Sequence, residues 1–194
     1  MTNNEIAELF ELLSKLMDIH GENSFRAKSY ASAAFRLEKL DKDVMTLTNA
    51  EIQAITGIGD SNAQKIIEIK ETGSLKVLSD LVQRTPPGVI ELLSIKGIGP
   101  KKIGALWFEL GITSIDELEQ ACRANKLPSL KGFTTKTQED ILKNIAFKKD
   151  SESYFLWAKA APFAESTLRL LQNKFPEELT ALSGDFRRLV PTLK

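Results

Sequence analysis

The chain has 194 residues, 42% of them hydrophobic, which suits one or two small domains with a buried core and excludes a disordered tail. Lys and Arg number 26 and Asp and Glu number 26, so no global positive field draws the chain to a polyanion, and any such contact has to be local. One cysteine, Cys122, and one histidine, His20, argue against a disulfide, an all-protein zinc site and triad chemistry. The start Met1-Thr2-Asn3-Asn4-Glu5 lacks a basic segment leading into an apolar one, and no apolar run reaches the ~20 residues of a membrane span, so the expected location is cytoplasmic and reducing. Residues 1–100 carry 14 acids and 11 bases, residues 101–194 carry 12 and 15; the later half is only mildly basic.

Ile6, Leu9, Phe10, Leu13, Leu16 and Met17 recur at helical spacing and predict an amphipathic helix over 5–19, with Gly21 as its stop. Asn23 or Ser24 caps a second helix whose apolar members are Phe25, Ala27, Tyr30, Ala33, Ala34, Leu37 and Leu40. Further helices are expected over 48–55, 60–72, 75–84, 88–95, 100–110, 113–124, 135–147 and 152–173. Pro86-Pro87 ends one helix and starts the next. No segment before residue 178 alternates as a strand does, so the fold class is all-α.

A short unit recurs along this helical body. It reads Ile52-Gln53-Ala54-Ile55-Thr56-Gly57-Ile58-Gly59, then Leu92-Leu93-Ser94-Ile95-Lys96-Gly97-Ile98-Gly99, each followed by a helix. A weaker third copy, Leu127-Pro128-Ser129-Leu130-Lys131-Gly132-Phe133-Thr134, has threonine at the second glycine. The first glycines lie 40 and 35 residues apart, a duplicated motif with variable linkers and not a strict solenoid. A lone Gly-x-Gly between helices is a C-cap and a tight connection; three copies with the same apolar positions call for a shared purpose.

A helix, a glycine turn and a second helix leave backbone N–H groups unpaired, and these can hold a phosphate. Glycine admits positive φ and lets a sugar-phosphate chain approach, while Ile58 or Ile98 plugs into the helices below. Contacts of this kind carry no base information. Lys65 after the first turn, Lys101 and Lys102 after the second, and Lys131 and Lys136 beside the third add point charges.

These residues resemble the helix-hairpin-helix motif, and their arrangement is similar to the N-terminal region of family X DNA polymerases of the polymerase beta and bacterial type. The similarity runs through Gly21-Glu22-Asn23-Ser24-Phe25-Arg26 and Tyr30, then Gly57-Ile58-Gly59, Lys65 and Glu71-Thr72-Gly73-Ser74-Leu75. It continues through Pro86-Pro87-Gly88, Lys96-Gly97-Ile98-Gly99-Pro100-Lys101-Lys102 and Leu110-Gly111-Ile112. The resemblance implies a lyase-like helical domain over 1–80, a helix-hairpin-helix domain over 81–148, and the incomplete start of a palm-like segment over 149–194. It implies gapped or nicked duplex DNA as partner, alongside repair proteins or a missing catalytic domain. It requires no cofactor, and implies a sodium or potassium ion held by the carbonyls of Leu93, Ile95 and Ile98, with Gln53, Ile55 and Ile58 as a second set.

The resemblance also implies two functional questions. The family enters its catalytic palm through Gly-Ser-x-Arg-Arg and paired aspartates; here Ser183-Gly184-Asp185-Phe186-Arg187-Arg188 puts aspartate at the serine and no Asp-x-Asp follows, so nucleotidyl transfer by these residues is not expected. The apolar stretch from Tyr154 through Phe175 to Phe186 is expected to expose hydrophobic positions. Lys65 stands at the family's lyase lysine, whose amine attacks an abasic-site aldehyde; Arg26 would help depress its pKa and Tyr30 would orient the phosphate. Two positions that carry lysine in the polymerase beta type are Gln53 and Ser61 here. Lys65 is therefore either a lyase nucleophile or a solvated lysine making one phosphate contact. A third reading takes the repeats as a protein-docking scaffold. His20 is expected to cap a helix end, Cys122 to sit in a packed face, and Trp107-Phe108 and Tyr154-Phe155-Trp157 to be core or to stack on bases.

Overall fold

The computed structural model describes residues 1–152, 155–188 and 192–193. They form two compact units, Met1–Leu142 and Lys143–Lys194. The first contains α1 (Asn3–Ile19), α2 (Ser24–Glu38), α3 (Asn49–Gln53), α4 (Asp60–Thr72), α5 (Lys76–Arg84), α6 (Pro87–Glu91), α7 (Pro100–Leu110), α8 (Ile115–Arg123) and the start of α9 (Thr135–Glu152). Three single 3-10 turns, Val44–Thr46, Leu92–Ser94 and Leu127–Ser129, were not foreseen; each is too short to show a period.

Local chemistry accounts for the helix starts. Thr2 accepts the Glu5 N–H at 3.3 Å while the Glu5 carboxylate accepts the Thr2 N–H at 2.6 Å, a reciprocal cap whose hydrogen bonds hold Glu5 below its ordinary pKa. Thr48 and Glu51 repeat the device at α3. Asn23, not Ser24, caps α2. Pro87 opens α6, as expected of the Pro-Pro pair.

The expected stripe of α1 is buried at Ile6, Phe10, Leu13, Leu16 and Met17 and faces α2, whose Ala27, Tyr30, Ala33, Ala34 and Leu37 are buried in turn. Tyr30 meets Phe10 edge to face at 6.0 Å, and Ser14 donates to the Ala27 carbonyl at 2.7 Å. Phe25 departs from the expectation: it is 83% exposed. It occupies the first turn of α2, off the stripe, and periodicity overrules apolarity there.

α1 also packs on α5 and α7. The approach to α7 is close: a Cβ on Gly104 would lie 2.4 Å from the Ile19 carbonyl oxygen. His20 completes this junction, with Nε2 donating at 2.8 Å to the Thr85 hydroxyl, whose own proton goes to the Leu81 carbonyl. Its ring stands edge-on to Trp107 at 5.3 Å. Burial, then the charge of Arg84, push the His20 pKa down, with Glu22 opposing. The ring thus does more than cap α1. Within the Met1–Leu142 unit the α1–α5 and α1–α7 contacts join residues on either side of position 80.

Cys122 is 1% exposed on α8, as expected, and desolvation followed by the Glu119 charge pushes its thiol up to about 11. The second unit contains α10 (Trp157–Lys174), with Pro162 inside it, and α11 (Gly184–Arg187). A two-residue antiparallel pair joins β1 (Phe155–Leu156) to β2 (Thr192–Leu193); two residues are too few to alternate, so no pattern along the chain marks β1. Phe163, Leu170, Leu171, Phe175 and Leu179 are exposed, in keeping with the apolar surface expected of this segment. Tyr154 lies outside the described residues, as do the side chains of Phe155 and Trp157. Among the described residues no helix is long and apolar enough to cross a membrane.

Candidate nucleic-acid interface

The three repeated units fold as three turns of one backbone geometry. Gly57, Gly97 and Gly132 have φ of 86°, 89° and 88°. In each turn the residue after this glycine donates its N–H three residues back: Ile58 to Ile55 at 3.1 Å, Ile98 to Ile95 at 3.4 Å, Phe133 to Leu130 at 3.2 Å. That residue is a buried plug, 5%, 6% and 5% exposed respectively. The first glycine is needed for its left-handed φ.

The second position is different. Gly59 and Gly99 have ordinary φ of −74° and −81°, and a Cβ on either would meet nothing within 4 Å. Glycine there serves open access and not backbone strain, which explains why Thr134 is accommodated in the third copy. The third turn is therefore a full turn in backbone terms, although its sequence looks weaker.

Among the described residues, the backbone N–H groups of Gly57, Gly59, Asp60 and Ser61 find no backbone acceptor, nor do those of Gly97, Gly99 and Lys101, or of Gly132, Thr134, Thr135 and Lys136. These donors lie at the N-termini of α4, α7 and α9, where the helix dipole favours an anion. The neighbouring charges grade the three. The second turn has Lys101, 71% exposed with its Nζ 4.0 Å from an Asp18 oxygen, and Lys102 beside it. The third has exposed Lys131 and Lys136, but the Thr134 hydroxyl accepts the Thr137 N–H at 3.1 Å and so caps α9 itself. The first has Asp60 in the first turn of α4, a like charge to any incoming phosphate.

Lys102 joins the second and third turns: its Nζ lies 5.2 Å from the centroid of Phe133, the third turn's plug. Three residues expected to act together are together. Lys65 Nζ lies 5.6 Å from the Tyr30 ring centroid and 3.4 Å from the Ser61 carbonyl, and Arg26 Nη2 is 3.5 Å from the Tyr30 hydroxyl. Tyr30 is only 2% exposed, so its ring belongs to the core and positions the two cations. Sequence reasoning placed Phe25 in the core; it stands exposed beside Arg26.

The carbonyl groups named for a monovalent ion fit that role in part. Among the described residues those of Leu93 and Ile98 accept no backbone hydrogen bond, and that of Ile95 accepts one long bond from Ile98, which leaves lone pairs for a cation. Gln53, Ile55 and Ile58 repeat the pattern in the first turn. Trp107 and Phe108 stack on each other with centroids 4.3 Å apart, and Phe108 is 60% exposed.

Comparison with known proteins agrees with this geometry. The helix-hairpin-helix domain family matches residues 1–75, and the SAM-like helix-hairpin-helix tandem family matches residues 89–146. The DNA polymerase/3'-5' exonuclease PolX of Bacillus subtilis (strain 168) is 32% identical over 145 residues, 75% of this chain and 25% of that protein. DNA polymerase lambda of Rattus norvegicus is 28% identical over 188 residues, 96% of this chain and 29% of that protein. The chain thus spans less than a third of the length of either relative. With helix-hairpin-helix domains over 1–75 and 89–146 and this similarity over most of its length, the chain is a helix-hairpin-helix protein homologous to family X DNA polymerases.

Proposed function

We propose that the chain binds gapped or nicked duplex DNA without regard to sequence, as the DNA-grip portion of a family X repair polymerase. The role assigned to these residues is grip and not nucleotidyl transfer. The observation that carries this reading is the threefold repetition of one turn, with φ between 86° and 89°, unpaired amides and flanking lysines. Amides and ammonium groups bind phosphate, position the duplex and read no bases. The balanced net charge suits a grip built from a few placed contacts. Gly97, Gly99, Lys101 and Lys102 form the strongest of the three, Gly57 and Gly59 another, and Lys131 and Lys136 the third.

In this reading the carbonyls of Leu93, Ile95 and Ile98 would hold a sodium or potassium ion, which would supply one further positive charge. Phe25, exposed beside Arg26, offers a stacking platform for an unpaired base at the gap.

Fluorescence anisotropy with a one-nucleotide-gapped duplex carrying a 5′-phosphate, against intact duplex, tests the reading. Tighter binding to the gap that weakens with salt is expected. No binding at low salt would favour the scaffold reading instead.

The cluster of Lys65, Tyr30 and Arg26 favours a second activity, abasic-site lyase. The Lys65 amine attacks the open-chain C1′ aldehyde and water leaves to give an imine; loss of the C2′ proton to water then breaks the C3′–O bond with release of the 3′-phosphate, and water hydrolyses the imine to free Lys65. Borohydride reduction in the presence of abasic DNA is expected to trap a covalent adduct that disappears in Lys65→Ala. An adduct of equal yield in that variant would remove Lys65 from this role.

A further inference from the structure

We infer that Arg36, on α2, is the cationic phosphate ligand of the first hairpin turn, in the role that Lys101 and Lys102 hold at the second. The inference rests on the DNA-binding reading above and adds to it a residue from outside the hairpin.

Beyond Lys65, whose Nζ lies 3.4 Å from the Ser61 carbonyl and over the Tyr30 ring, the first turn is poor in positive charge of its own. Gln53 and Ser61 are uncharged, and the Asp60 carboxylate opens α4 beside the free amides. A helix N-terminus carries about half a positive charge, so a full negative charge in its first turn cancels much of its attraction for phosphate. On amides alone the first turn would be a weak anion site.

Arg36 changes that balance. A Cβ built on Gly57 would lie 2.8 Å from Arg36 Nε, 3.3 Å from Cζ and 3.4 Å from Cδ, so the guanidinium rests directly on the glycine of the turn. Gly57 is thus required twice, for its φ of 86° and for the room it leaves this side chain. Arg36 is exposed, and among the described residues its guanidinium has no hydrogen bond or ion pair. Its planar set of donors is open, in the geometry that takes two phosphate oxygens at once. The residue lies 21 positions before Gly57 and on another helix, so spacing within the repeat could not reveal it.

The experiment is the salt dependence of binding to the gapped, 5′-phosphorylated duplex for the unaltered chain, Arg36→Ala, Arg36→Lys and the double variant Lys101→Ala/Lys102→Ala. Arg36→Ala is expected to weaken binding about fivefold at 0.1 M salt and to lower the slope of log K against log salt by about 0.9. Arg36→Lys should keep the slope and lose part of the affinity, since it keeps the charge without the paired donors. Both variants should melt like the unaltered chain, and Arg36→Gln gives the same comparison should alanine perturb folding. An unchanged slope and affinity for Arg36→Ala, with the double lysine variant weakened, would overturn the role of Arg36 and leave the DNA-binding reading standing. Failure of the unaltered chain to bind would overturn both.

Discussion

Gly104→Ala is expected to destabilise the Met1–Leu142 unit by about 2 kcal/mol and Gly104→Val by more. In an open helix, alanine would gain about 1 kcal/mol over glycine. Here the added Cβ would sit 2.4 Å from the Ile19 carbonyl oxygen, a backbone atom that cannot swing aside. Helix α7 would have to move off α1, opening the contacts around Ile103 and Leu106, both fully buried. Overpacking therefore outweighs propensity, and the sign is negative. Thermal melting followed by circular dichroism reads it, with a fall of roughly 4–8 °C expected for a unit of this size. Gly59→Ala is the control, since it has an ordinary φ of −74° and open space. A Gly104→Ala melt at or above the unaltered one would show that α1 and α7 do not pack this closely. The consequence reaches function, because α7 carries Lys101 and Lys102 and its N-terminus forms the second turn.

Lys101→Ala/Lys102→Ala is expected to weaken DNA binding by about tenfold or more at 0.1 M salt, uniformly across sequences, and to lower the salt slope by about two. Lys101 is 71% exposed, and its 4.0 Å contact with the half-buried Asp18 is long for an ion pair and of little stabilising value, so the ammonium is free to turn to a phosphate. Lys102 gives up a contact with the Phe133 ring, about 0.5–1 kcal/mol at an exposed site, so a small loss of stability accompanies the loss of binding. Salt titration of anisotropy separates the two effects. An unchanged slope would contradict phosphate contacts at the second turn.

Most of the helical body could be read from the sequence because its signals are local. The periodic residues of α1 are buried where expected except Leu9, which is half-buried, and the observed bounds of α4 and α7, Asp60–Thr72 and Pro100–Leu110, match the expected ones. The turns could be read for a different reason: a left-handed glycine followed by a buried plug leaves the same spelling at each copy. Thr134 misled because sequence cannot tell a glycine needed for its φ from one needed for space. Phe25 misled because apolarity was given more weight than its place in the first turn of a helix.

The sequence by itself determined the all-α class, the caps, the three turns and the lysines that follow them, since each depends on residues within a few positions of one another. Only the tertiary structure decided the rest. The contact of Ile19 with Gly104, the His20–Thr85 hydrogen bond, the ring of Phe133 under Lys102 and the guanidinium of Arg36 on Gly57 all join residues far apart in the chain. Their physical cause is packing of helix on helix, which brings distant residues into van der Waals and hydrogen-bond range, and no periodicity along one segment records which segment will lie against it.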